Sequence, residues 1–90
     1  VSTRLERRSL FGTKVHLLVV HQHRLLELGY VGTMGRRGWA IYTDFDSAAE
    51  AEDGCGKVAE ELTRNGYREA EWVPEPAIEE FISQLDAGTV

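Results

Sequence analysis

Residues 39–51 read WAIYTDFDSAAEA, and the change of rhythm inside them decides the fold. Up to Phe45 the side chains alternate. Trp39, Ile41, Thr43 and Phe45 fall on one side of an extended chain, and Ala40, Tyr42 and Asp44 on the other. After Ser47 the spacing lengthens. Ala48, Ala51, Cys55, Val58 and Leu62 recur every three or four residues, which makes one apolar stripe on a helix. Ser47 and Glu50 supply the S-x-x-E capping box at its start, and Asn65-Gly66 supply its stop. Asp53 with Lys57, and Glu60 with Arg64, form i,i+4 pairs on its wet side. Gly54 and Gly56 lie within the same stretch, each costing about 1 kcal/mol relative to alanine. Either something packs very closely there or the helix is interrupted.

Toward the N-terminus, residues 14–22 (KVHLLVVHQ) read as a strand with both faces largely apolar, hence an inner strand. Val15, Leu17 and Val19 share one face, and His16, Leu18 and Val20 the other. The segment His21-Gln22-His23-Arg24 is a turn, and residues 25–34 (LLELGYVGTM) are a second strand, softened by Gly29 and Gly32. Gly35 to Gly38 make a second turn before Trp39. Residues 1–13 are polar and basic, and read as a loosely held arm. Toward the C-terminus, residues 67–73 are extended or irregular. Pro76 is placed to open a last helix, with Ile78, Phe81, Ile82 and Leu85 as its apolar stripe. That stripe is expected to dock on the domain's own core, the alternative being a helix offered to a partner groove.

Strands followed by a helix, with short connections, predict an α+β fold. The expectation is a small antiparallel β-sheet packed against one main helix plus a short C-terminal helix, with the helices on one face. Ninety residues fit one domain. The expected layout is a basic arm at 1–13, the domain at 14–73 and a helical extension at 74–90.

Composition narrows the function. The longest purely aliphatic run, Leu17 to Val20, is far short of a membrane span. Arg4, Arg7 and Arg8 are not followed by the apolar core of a signal peptide. The single cysteine, Cys55, can form neither an internal disulfide nor a cysteine-only zinc site, and suits a cytoplasmic protein. The net charge of −5 is unevenly divided. Residues 1–42 hold seven basic side chains against two acidic ones, and residues 43–90 hold three against thirteen. A basic face backed by an acidic one is the expectation.

Specific chemistry is thinly supplied. Gly29, Gly32, Gly35 and Gly38 recur every third residue but match neither a dinucleotide fingerprint nor a P-loop. His16, His21 and His23 lack the further ligands that zinc requires, so no metal is expected. No serine stands in a nucleophile elbow, and the acids fall on wet helix faces. The expectation is a non-enzymatic binding module without a cofactor. What remains is Arg36-Arg37 on a tight turn, flanked by Tyr30, Met34 and Trp39. Paired guanidiniums can grip phosphate or carboxylate, and an indole can stack on a base.

The stretch from Tyr30 to Ala70 resembles the WGR domain family. Met34-Gly35-Arg36-Arg37-Gly38 is similar to its Trp-Gly-Arg-x-Gly motif. Phe45-Asp46-Ser47, Ala51 and Arg64-Asn65-Gly66-Tyr67 follow in the family's order. Met34 stands at the position of the defining Trp, Trp39 follows Gly38 directly, and the helix is acidic where the family's is often basic. WGR domains of poly(ADP-ribose) polymerases bind DNA near strand breaks, and bacterial relatives occur alone or fused to other domains. The resemblance implies weak DNA-end binding, with Arg36 inheriting the role of the family Arg. The expected nucleic-acid-binding residues are therefore Met34, Gly35, Arg36, Arg37, Trp39 and Arg24. The competing expectation is a protein-interaction domain that keeps the fold without binding DNA.

Overall fold

The computed structural model describes residues 2–10, 12–32, 38–73 and 76–86. The elements in chain order are β1 (Ser2–Ser9), β2 (Gly12–His21), β3 (Arg24–Val31), β4 (Trp39–Asp44), α1 (Ala48–Arg64), β5 (Arg68–Ala70) and α2 (Pro76–Asp86). The strands form one sheet in the order β4-β3-β2-β1-β5, with every neighbouring pair antiparallel. This is the expected α+β class, a small antiparallel sheet with one main helix and a short second one.

β2 occupies the centre of the sheet because it is apolar on both faces. On one face Val15, Leu17 and Val19 pack with Leu26, Tyr30 and Ile78 of α2. On the other, Leu18 packs with Leu5, Leu25 and Cys55 of α1. The two helices therefore lie against opposite faces, which corrects the expectation that both share one. A strand with two apolar faces needs a cover on each side. Burial of Ile78 docks α2 on the core, as its apolar stripe predicts.

The N-terminal segment also departs from expectation. Ser2–Ser9 is not an arm but an inner strand, paired along its length with β2 and at Arg4–Glu6 with β5. Leu5 is its one buried residue. The rest of its pairing energy comes from backbone hydrogen bonds to strands on either side. The second predicted strand ends at Val31, short of Met34. The turn between β2 and β3 is the predicted one: His21 pairs with Arg24, and Gln22 takes a φ of 58°.

α1 is continuous through both glycines. Ser47 is the N-cap, its Oγ accepting the Glu50 N–H at 3.1 Å. The ion pairs Lys57–Asp53 (3.4 Å) and Arg64–Glu60 (3.0 Å) form as the spacing predicts. At the other end the Tyr67 N–H bonds the Leu62 carbonyl and the Gly66 N–H bonds the Thr63 carbonyl, both within 3.1 Å. Gly66, with φ +94°, makes this Schellman closure. The two internal glycines differ. A Cβ on Gly54 would stand 2.6 Å from the Phe45 ring, whereas one on Gly56 would meet nothing. Close packing is thus the answer at Gly54 alone. Cys55 is buried beneath the helix, and burial pushes its thiol pKa up. Among the described residues no helix is long and apolar enough to cross a membrane.

Candidate nucleic-acid interface at one end of the sheet

Met34, Gly35, Arg36 and Arg37 lie outside the described residues. Gly32 and Gly38, which bracket them in sequence, follow β3 and precede β4 at one end of the sheet. Trp39 is the first residue of β4 and belongs to that end. Arg24 does not. It pairs with Asp44 at the far end of β4, five strand steps and about 17 Å from Trp39. There its Nε and Nη2 both donate to the Asp44 carboxylate, and its guanidinium lies 4.7 Å from the Tyr42 ring centroid. The hydrogen bond from Arg24 holds the Asp44 carboxyl below its ordinary range. Arg24 is thus a clasp on β4, and the structure separates it from Trp39.

In its place the fold collects other cations. β1 ends and β2 begins beside Gly32, so Arg7 stands directly across from Lys14, on the same face of the sheet. Arg8 follows on the opposite face, and Arg68 opens β5 next to Glu6. All four are exposed, and none makes an ion pair among the described residues. Like charges in direct cross-strand register are destabilising. The Arg7–Lys14 pair is therefore a local expense that an anion would relieve. A cleft of about 620 Å³ opens at this end, lined by Arg7, Arg8, Thr13 and Arg68 together with Glu6 and Glu69. Glu6 is already bonded to Arg4, at 3.3 Å.

Next to the cations stands an aromatic group. One row inward, the register runs Leu5, His16, Gly29, Trp39 across four strands on the α1 face. Trp39 and His16 are two strands apart, about 10 Å between backbones. Gly29 lies between them and has no side chain. The indole crosses it, so that a Cβ on Gly29 would fall 2.4 Å from the ring. The Trp39 and His16 ring centroids thereby come to 5.0 Å, edge to face. His16 is held from below: its Nε2 lies 3.2 Å from Glu27 Oε1, and the Tyr67 ring stands 6.2 Å away. Anchored on this side, Trp39 keeps 48% of its surface exposed. It is neither a core residue nor a loose one. Lys14, His16, Gly29, Tyr30, Trp39 and Tyr67 line a second cleft, of about 270 Å³.

Of the residues that the fold gathers at this end, the sequence named Trp39 as a candidate and not Arg7, Arg8, Lys14, Arg68, His16 or Tyr67. β1 carries a single apolar residue, Leu5, so no alternation marked it as a strand. Once β1 is a strand hairpinned to β2, Arg7 and Lys14 must become neighbours. His16 stood out only as a metal ligand; its partners are Glu27 and two aromatic rings instead.

No protein-family model matches the chain, and no curated protein matches it. Among solved structures it is similar to a Bacteroides fragilis protein determined by the Northeast Structural Genomics Consortium, with 28% sequence identity and a TM-score of 0.63. The match covers 77% of this chain and 19% of that one, so the chain spans about a fifth of the length of its structural neighbour.

Proposed function

We propose that the chain is a non-enzymatic, WGR-like module that binds the ends of nucleic acids weakly, through the basic and aromatic end of its sheet. The observation that carries this reading is the exposed like-charge register of Arg7 and Lys14, joined at the same end by Arg8 and Arg68 and bordered by Trp39. Cations without ion-pair partners among the described residues favour a polyanion, because each phosphate they neutralise releases condensed counterions. Arg36 and Arg37, carried in sequence between Gly32 and Gly38, add two more charges to the chain at this point. The succession of a strand, the Gly-Arg segment, a second strand, a capped helix and Gly66-Tyr67 is the order on which the WGR resemblance rests. Affinity is limited by the acidic remainder and by Met34 at the family's Trp position. A cytoplasmic location belongs to the same reading.

The test is a titration of labelled blunt and nicked DNA at low and moderate salt. The expected result is saturable, micromolar or weaker binding that declines as salt rises. Arg7→Ala/Lys14→Ala should lower the salt slope by roughly 2, one contact per charge, and Arg36→Ala should weaken binding further. Absence of binding at low salt rejects the proposal.

One observation favours the competing reading, a protein-interaction domain. β4 is an edge strand on which Ile41 and Tyr42 are about half exposed. The Phe45 N–H bonds the His23 carbonyl, so by alternation the backbone groups of Ala40, Tyr42 and Asp44 face the open edge. Such an edge can accept another strand. A partner captured from lysate that stays bound after nuclease treatment distinguishes this reading from the first.

A further inference from the structure

We infer that the Trp39 cleft takes a single unpaired nucleotide, so that the module selects single-stranded ends over blunt duplex ends. This rests on the nucleic-acid reading above and adds the form of the ligand.

Three observations lead to it. The cleft is small. At about 270 Å³ it lies at or below the lower limit of ordinary ligand pockets, roughly 300 Å³. It has room for one base and its sugar, not for the flat end of a base pair. Its aromatic wall is fixed in place. The indole is laid across Gly29, and its contact with His16, itself placed by Glu27 and Tyr67, holds it there while nearly half its surface stays open. A stacking surface that is already ordered loses little freedom when a base arrives.

The third observation is the placement of charge. Lys14 precedes His16 by two residues on the same face of β2, so it stands one row, about 7 Å, outward from the ring cluster. That is the scale of one nucleotide. Arg7 lies beside it across the strand pair. A base on Trp39 thus has its own phosphate at Lys14 and Arg7. An aromatic platform beside a track of cations is how single strands are bound without sequence preference. A paired base would first have to leave its stack, which costs least where the base is already unpaired.

The experiment uses fluorescence anisotropy with three labelled probes at one low salt concentration. They are a blunt DNA hairpin, the same hairpin with a five-nucleotide 3′ thymidine overhang, and a thymidine oligonucleotide. The overhang and the oligonucleotide are expected to bind at least about 5-fold more tightly than the blunt hairpin, the lower end of what one stacked base contributes. Trp39→Ala should remove that preference, and Trp39→Phe should keep part of it. A second readout does not depend on the alanine variant folding. The Trp39 emission, taken as the difference between wild type and Trp39→Phe, should be quenched by the oligonucleotide and not by the blunt hairpin. Equal or tighter binding of the blunt hairpin overturns the inference and leaves the proposed function standing. So does a preference that survives in Trp39→Ala, or emission that no probe quenches. Failure of all three probes to bind overturns both.

Discussion

Glycines decide several local outcomes in this chain, and they do so for different reasons. Gly29 is a missing side chain that a neighbour occupies, since without it the indole could not reach His16. Gly54 is the same device inside a helix, filled by the Phe45 ring. Gly56, two residues on, leaves open space. The two helical glycines therefore predict opposite results from one substitution. Gly56→Ala should stabilise the protein by about 1 kcal/mol through helix propensity alone. Gly54→Ala gains the same propensity but drives a methyl group into an aromatic ring, and overpacking of that kind costs about 1–3 kcal/mol. Gly54→Ala should come out neutral to destabilised by about 2 kcal/mol. Urea unfolding of both variants measures the difference. Sequence alone posed this choice without resolving it, because spacing shows where a glycine falls on a helix but not what lies opposite.

At the scale of elements, legibility followed how much of a segment's stability is local. β2 and α1 were readable because their apolar pattern, capping residues and stop signal are all contained within them. β1 was not. It buries only Leu5 fully, and it is held by partners on both sides, one of them more than sixty residues away in sequence. β5 is three residues long, mostly exposed, and acquires meaning only by pairing with β1. The same non-locality bears on Arg24, because the eight residues of β3 carry the chain about 24 Å from Arg24 at one end of the sheet to Val31 at the other. Its real role predicts a pH effect. The Asp44 pKa is lowered in the folded protein, so the Arg24 clasp contributes stability above the ordinary carboxylate range. That contribution is lost as pH falls through the depressed value. In a carbon-detected NMR titration Asp44 should therefore titrate below the usual aspartate range near 3.9, and return toward it in Arg24→Ala. The unfolding midpoints of the two proteins should converge on acidification. An Asp44 titration unaffected by Arg24→Ala contradicts this role.

Across the whole molecule the strands and turns gather basic charge at one end of the sheet. Helix α1 carries much of the acidic second half on its wet side, while the close of β1, the start of β2 and the start of β5 bring Arg7, Arg8, Lys14 and Arg68 to one end. The expected basic face backed by an acidic one does not form: Arg7 and Lys14 lie on the α1 face and Arg8 and Arg68 on the other, so the cations share an end of the sheet and not a face, an end set by β1 being a strand. The arrangement suits a weak, salt-sensitive contact with an anionic chain end, because attraction is confined to a small area on a protein of net charge −5. The most direct test of this location is an amide NMR titration with the thymidine oligonucleotide. Shifts are expected only at residues 7, 8, 13–16, 29–39 and 66–68, with His21, Arg24 and Asp44 unmoved. Shifts centred on the Arg24–Asp44 end, or none at any ratio of oligonucleotide to protein, would contradict it.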